Sequence, residues 1–171
     1  MIRGVGLTAA AVVVLALGAC GKSTSNTATS EQPANPTEPA SAPPTLTDAQ
    51  KKALLAELPA AYQSADLDNG QAKFAICRSC HTNVQGGGDM VGPNLYGIFG
   101  RKSGSEAGFA YSDDLKNAGW TWDADHLDKW ITNPRGVLAN SKMTFVGVPD
   151  PKDRTDIIAY LKVSTSPAPK A

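Results

Sequence analysis

Two cysteines and a histidine lie within five consecutive residues of the sequence, CRSCH, from Cys77 to His81. On a helix, positions i, i+3 and i+4 share one face, so this spacing would project Cys77, Cys80 and His81 together. Two adjacent thiols can add across the two vinyl groups of a haem while the neighbouring imidazole binds the iron. C-x-x-C-H is the attachment signature of c-type haem. The sequence therefore predicts one covalent haem c, with thioethers at both cysteines.

Three other interpretations of this cluster are weaker. A zinc site needs four ligands, and outside the cluster the chain offers only His126 and Cys20. A thioredoxin-like redox pair needs a βαβ setting, and no strand pattern stands out in the sequence. A disulfide between Cys77 and Cys80 suits an oxidising compartment, but it leaves the histidine and the long loops of this chain unexplained.

A haem iron bound by His81 needs a second ligand, and the candidates are Met90, Met143 and His126. Met143 lies in a loop, NSKMTFVGVP, far enough along the chain to approach the opposite face of the haem. Met90 is nine residues beyond His81, in a glycine-rich segment that would cover the histidine side. His126 lies mid-helix among charged residues, which is typical of a surface side chain. Because methionines also fill cores, the spacing alone leaves the choice open.

The elements that must position these residues are predicted to be helices joined by long loops. A capping box of Thr47 and Gln50 begins a helix that ends or kinks at Pro59. Further helices are predicted from about Leu67 into CRSCH, over 112–117, over 123–132, and from an Asp150 cap to the C-terminal region. Loops this long are uncommon unless they serve a function. An all-α fold wrapped around an apolar cofactor accounts for them.

The first twenty residues predict export and a lipid anchor. One arginine precedes an apolar run that ends at Leu17-Gly18-Ala19-Cys20, a secretory signal layout that resembles the lipobox of bacterial lipoproteins. Cleavage would make Cys20 the first mature residue and the site of lipidation. The apolar run is shorter than the roughly 20 residues of a spanning helix, so an uncleaved helical anchor is the less favoured alternative.

Composition divides the rest of the chain. Residues 21–45 are rich in Ser, Thr, Asn, Pro and Ala, cannot bury enough surface to order themselves, and would span roughly 25 to 30 Å as a tether. Sixteen basic and sixteen acidic residues cancel, so overall charge suggests no nucleic-acid partner. The predicted organisation is a signal peptide at 1–19, a lipidated cysteine and tether at 20–45, an extra helix at 46–66, a haem domain at 67–165 and a tail at 166–171.

Several separated motifs resemble class I cytochrome c, of the type close to mitochondrial and bacterial c2 proteins. After CRSCH come GPNLYGIFGRKSG, FAYSDDLKNAGWTW, WITNPRG, SKMTF and RTDIIAYLK, all in the family order. The similarity covers roughly residues 70–162. It implies a cytochrome c fold, His81 and Met143 as the axial pair, and the Pro93 carbonyl as acceptor for the second ring N–H of His81.

The same resemblance implies roles for further residues. Tyr111 and Trp122 match positions that hydrogen-bond a haem propionate, with Arg101 and Ser141 nearby. Trp130 and Phe145 match haem-packing positions. The helix residues Gly70 and Phe74 match positions that cross the last helix at Ile157 and Tyr160, where glycine permits close backbone approach.

Three features depart from the family pattern. Phe74 stands one residue closer to the first haem cysteine than in mitochondrial members. The helix of residues 46–66 and the tether have no counterpart in the soluble members. Without Arg3, Lys22, Glu31 and Glu38, residues 46–171 carry fourteen basic and fourteen acidic side chains. A strongly basic docking face is therefore not implied.

The resulting functional expectation is a monomeric electron carrier rather than an enzyme. It would lie on the periplasmic side of a bacterial membrane and shuttle electrons from a quinol-cytochrome c reductase to a terminal oxidase. Arg78, Arg135 and Lys142 would either surround the exposed haem edge or be ordinary solvated charges. The alternatives are a haem peroxidase or gas-binding sensor, which needs an open iron position and an acid–base group, and a fixed subunit of an oxidase complex.

Overall fold

The computed structural model describes residues 45–169. The predicted signal peptide, Cys20, the tether up to residue 44 and residues 170–171 lie outside the described residues. The helices are α1 Asp48–Ala56, α2 Ala60–Gln63, α3 Leu67–Phe74, α4 Asp113–Asn117, α5 Ala124–Thr132, α6 Pro134–Val137 and α7 Pro151–Thr165. Within 45–169 no strand forms beyond one isolated bridge between Lys102 and Thr121. The predicted all-α fold is confirmed. None of the described helices combines the length and the apolar character that a membrane span requires.

The segment that precedes the haem domain packs onto it as two short helices. The predicted capping box is present, with the Thr47 N–H donating to Gln50 Oε1 at 2.9 Å and the Gln50 N–H to Thr47 Oγ1 at 3.2 Å. Pro59 separates α1 from α2, and both helices contact α7. The buried side chains of this segment are Leu54, Leu55 and Tyr62 in the helices and Leu58 between them. Because these side chains are removed from solvent by packing against the domain, α1 and α2 contribute to its core.

The crossing of α3 and α7 forms the centre of the fold. A Cβ on Gly70 would lie 2.1 Å from the carbonyl oxygen of Asp156, so only glycine allows the two backbones to meet here. One turn further along, the rings of Phe74 and Tyr160 are 5.4 Å apart, and Phe74 and Ile157 are fully buried. The crossing therefore determines where the chain leaves α3 towards the CRSCH segment.

The chain after CRSCH has no helix until α4, as its glycines and proline predict. Gly119, at φ +78°, follows α4, and α5 ends at Thr132 as predicted. Helix α6 was not predicted, because Asn133-Pro134 is also the stop signal of α5. Asn133 in fact also begins a helix, since its Oδ1 accepts from the Gly136 N–H at 3.0 Å and Pro134 occupies the first helical position.

Candidate functional site: the CRSCH turn and its surroundings

Cys77, Cys80 and His81 lie on one tight turn that follows α3. The N–H groups of Cys80 and His81 both bond to the Cys77 carbonyl, at 3.1 and 3.0 Å. The helix predicted from about Leu67 into CRSCH ends earlier, at Phe74, and residues 77–79 form a 3₁₀ turn. The Cys80 carbonyl accepts from the distant Gly92 N–H at 2.8 Å, which connects this turn to the loop that follows it. The three reactive side chains nevertheless come from a single turn of chain.

The imidazole of His81 is oriented by a backbone carbonyl. Its Nδ1 lies 2.7 Å from the carbonyl oxygen of Pro93, the contact that the family resemblance implies. Since a carbonyl only accepts hydrogen bonds, Nδ1 must carry the proton, and Nε2 keeps a free lone pair. Burial lowers the pKa of His81, although the Pro93 contact opposes this. The neutral ring with an available Nε2 is the form that binds metal.

Gly92 makes room for the His81 ring and was missed by the sequence interpretation. A Cβ at this position would lie 2.2 Å from Cε1 and 2.6 Å from Nδ1 of His81. The loop is further held by Asn94, whose amide donates to the carbonyls of Val84 and Gly87 at 2.9 and 2.6 Å. The position of Gly92 directly before Pro93 was the sequence signal for this role, because a residue next to the proline that orients His81 must pass close to the His81 ring.

Met143, which is far along the chain from CRSCH, lies against Trp130. The Trp130 indole Nε1 donates to Met143 Sδ at 3.2 Å, and the Met143 backbone N–H donates to Ser141 Oγ at 3.1 Å. Ser141 is buried and Met143 is partly buried. Met143 and Cys77 both pack against the same hydrophobic core. The sulfur position is therefore supported by both a side chain and its own backbone.

Two pairs of aromatic rings include residues that the family resemblance assigns to the haem site. The rings of Trp122 and Trp130 are 5.6 Å apart in edge contact, and both residues are only 7% exposed. Tyr111 is partly buried and in edge contact with Phe109, with 4.7 Å between ring centroids. Phe145 is also partly buried, two residues after Met143. These aromatic side chains are therefore all at least partly withdrawn from solvent.

Arg101 connects two loops of the site. Its Nη2 donates to the Asn94 carbonyl at 2.7 Å, and its Nη1 pairs with the Glu106 carboxylate. The resemblance implies that Arg101 lies near a haem propionate, whereas the pairing with Glu106 was not foreseen. The Glu106 carboxylate beside this guanidinium is the same chemical group as the carboxylate of a haem propionate.

Comparison with known proteins decides the family. The family model for cytochrome c matches residues 67–165, more than half of the chain. The chain belongs to the cytochrome c family. A cytochrome c from Chlamydomonas reinhardtii is 45% identical over 112 residues, which cover 65% of this chain and 96% of the relative. For a cytochrome c2 from Rhodomicrobium vannielii the identity is 44% over 101 residues, covering 59% and 81%. A cytochrome c homolog from Bradyrhizobium diazoefficiens is 43% identical over 109 residues, covering 63% of this chain and 59% of that protein.

Membership establishes the cofactor and the general activity. This cytochrome c carries one covalently bound haem c and is an electron carrier rather than an enzyme. The enzyme and gas-sensor interpretations are therefore set aside. His126, the spare histidine that such a site would need, places its Nδ1 2.8 Å from Asp123 and stacks on Trp120 with 5.5 Å between ring centroids.

The donor set of this cytochrome c fits haem better than the competing sites. Among residues 45–169 no three His, Cys, Asp or Glu side chains cluster as a metal ion would require. The thiols of Cys77 and Cys80 are not joined in a disulfide. Burial raises the pKa of the Cys77 thiol to about 11, so it is protonated at neutral pH. Reactive redox thiols show the opposite behaviour.

The remaining candidates from the sequence lie on the surface. Met90 is 49% exposed, and its backbone N–H donates to the Gly92 carbonyl at 2.9 Å, so this residue follows the histidine loop. Arg78 and Arg135 are exposed. Lys142 is also exposed and donates to the Ala110 carbonyl at 2.6 Å.

Proposed function

We propose that His81 and Met143 are the axial ligands of the haem iron, that Cys77 and Cys80 carry the thioether bonds, and that the protein is a one-electron carrier of a periplasmic respiratory chain. The observation that carries the ligand assignment is the 2.7 Å contact between His81 Nδ1 and the Pro93 carbonyl. This contact commits Nδ1 to donation and leaves Nε2 for the iron. When bound, the haem supplies an Fe(III)/Fe(II) couple that exchanges one electron.

The chain's own residues would then favour electron transfer over the binding of external ligands to the iron. His81 and Met143 would hold the iron from both sides, so an external ligand would have to displace one of these side chains to reach it. A thioether ligand in apolar surroundings favours the reduced state and raises the reduction potential. Trp122 and Trp130 exclude water from this side of the site because both are almost fully buried. Together these groups suit a carrier of relatively high potential.

Replacing Trp130 with phenylalanine should lower the midpoint potential. The indole N–H that donates to Met143 Sδ at 3.2 Å draws electron density from the sulfur, and phenylalanine lacks this donor. One such hydrogen bond contributes about 0.5–1.5 kcal/mol. A tenfold change in equilibrium corresponds to about 59 mV for one electron, so we expect a fall of roughly 20–60 mV in spectroelectrochemical titration.

The matched control for this measurement is Trp120→Phe. The Trp120 Nε1 has no hydrogen-bond partner among the described residues, so its removal changes aromatic packing without removing a bond to sulfur. A midpoint potential that falls equally in both variants would show that the Trp130 effect arises from packing alone.

The location and the partners are proposed from the N-terminal sequence. Leu17-Gly18-Ala19-Cys20 resembles a lipobox, and a lipidated Cys20 would hold the protein at the periplasmic side of a bacterial membrane. The tether of residues 21–45 would then keep the haem domain at high effective concentration near membrane-bound partners. The proposed partners are a quinol-cytochrome c reductase as donor and a terminal oxidase as acceptor.

A mass spectrum of the membrane-extracted protein tests attachment and anchoring together. In a host with haem c maturation and lipoprotein processing, the intact mass should equal the chain from Cys20 plus one haem and the added lipid. The variant Cys20→Ser should retain the haem mass and lose the lipid mass. An uncleaved chain with haem would refute the lipoprotein proposal and leave the haem assignment intact, whereas a haem-free chain would refute the haem assignment.

Deleting residues 21–45 while keeping Cys20 tests the role of the tether. The expected result is a lower rate of electron flow through the respiratory chain in isolated membranes, with an unchanged haem absorption spectrum. Replacing the segment by a Gly/Ser linker of equal length should restore the rate, because reach rather than sequence matters. Unchanged flux after deletion, or stable co-purification with an oxidase, would favour the alternative of a fixed oxidase subunit.

A further inference from the structure

Glu106 and Arg101 form an ion pair beside the candidate haem site. The Arg101 side chain is 14% exposed and the Glu106 side chain 30% exposed, so neither charge is fully solvated. The second guanidinium nitrogen of Arg101 is held by the Asn94 carbonyl at 2.7 Å. Asn94 directly follows Pro93, which orients His81. The pair is therefore attached to the loop that carries the histidine contact.

Both charges act on the Tyr111 hydroxyl. Burial raises the pKa of this hydroxyl. The Arg101 charge opposes that rise, and the Glu106 carboxylate adds to it. The two side chains thus exert opposite electrostatic effects on one group of the site.

A guanidinium has five N–H donors, and the two contacts seen here leave others available. Arg101 can therefore hold Glu106 and Asn94 while still facing a haem propionate. We propose that Glu106 is a positioning residue for electron transfer: it is the built-in counter-charge of Arg101, and it lowers the reduction potential that an unpaired Arg101 would produce. This inference rests on the proposed function, because it requires the haem to lie beside Arg101.

The sign of the effect follows from elementary electrostatics. A positive charge near the iron disfavours Fe(III) relative to Fe(II) and raises the midpoint potential. A carboxylate paired with that charge cancels part of its field. Because both groups are partly buried, their interaction with the iron is less screened than that between fully exposed charges. Neutralising Glu106 should therefore raise the potential, and neutralising Arg101 should lower it.

The test is spectroelectrochemical titration of the purified haem-containing Glu106→Gln variant. At a fixed applied potential we expect the ratio of oxidised to reduced protein to fall about threefold to tenfold, where tenfold corresponds to about 59 mV for one electron. Glu106→Asp keeps the charge and should stay close to the unmodified protein. Arg101→Gln should shift the ratio in the opposite direction.

The matched control is Glu57→Gln, which removes a carboxylate paired with Lys162 at 2.6 Å on the α1 side of the domain. If Glu106 had only a structural role, Glu106→Gln would lower the thermal unfolding temperature, as Glu57→Gln also can, and would leave the midpoint potential unchanged. An unchanged or lowered potential in Glu106→Gln, or an equal rise in Glu106→Asp, would overturn the proposal. Failure of the proposed function would appear separately, as absent haem mass in the unmodified protein.

Discussion

Replacing Met143 with alanine is expected to make the reduced protein bind carbon monoxide rapidly at neutral pH. The substitution removes the thioether sulfur and leaves a methyl-sized side chain, so one axial position becomes accessible. The identity of the axial ligands sets haem potentials over a range of about 0.8 V. Loss of the sulfur should therefore lower the midpoint potential by about 100 mV or more. Carbon monoxide difference spectra and redox titration measure the two effects.

Met90→Ala is the matched control, because Met90 is the other methionine that the sequence offers as an axial ligand. Its side chain is 49% exposed, and we expect the unmodified spectrum and potential to persist in this variant. If Met90→Ala opens the iron and Met143→Ala does not, the assignment of Met143 is wrong and Met90 is the ligand.

Replacing Gly92 with alanine should displace the His81 ring. The new Cβ would lie 2.2 Å from Cε1 and 2.7 Å from Nε2 of the imidazole, closer than any non-bonded contact allows. Either the ring turns away from the Pro93 carbonyl or the loop shifts. Overpacking of this kind costs about 1–3 kcal/mol, and it should also perturb the midpoint potential through the lost Nδ1 contact. Thermal unfolding and redox titration of the haem-containing variant measure both.

Gly88→Ala provides the control within the same loop. A Cβ at Gly88 would meet no atom within 4 Å, so the variant should unfold at nearly the same temperature as the unmodified protein. Equal effects of the two substitutions would mean that loop flexibility matters and the contact with His81 does not.

Several elements were predictable because their signals are local. The Thr47 and Gln50 capping box and the Asp150 cap with Pro151 involve residues within one helical turn of each other. The long irregular segment after His81 follows from its glycines and its proline. Asn133-Pro134 is also a local signal and both ends α5 and begins α6, although only the end of α5 was predicted.

The sequence by itself determined the cofactor, because two thiols and an imidazole at fixed spacing define covalent haem attachment whatever fold the rest of the chain adopts. It also determined the helical class through caps and apolar spacing. The tertiary structure decided which ring nitrogen of His81 carries the proton, because a carbonyl twelve residues away accepts from it. It also explains why residue 92 must be glycine. It also decided that Glu106 accompanies Arg101. Such contacts depend on the path of loops whose shape is set by the packing of α3 against α7, and no local spacing encodes that path.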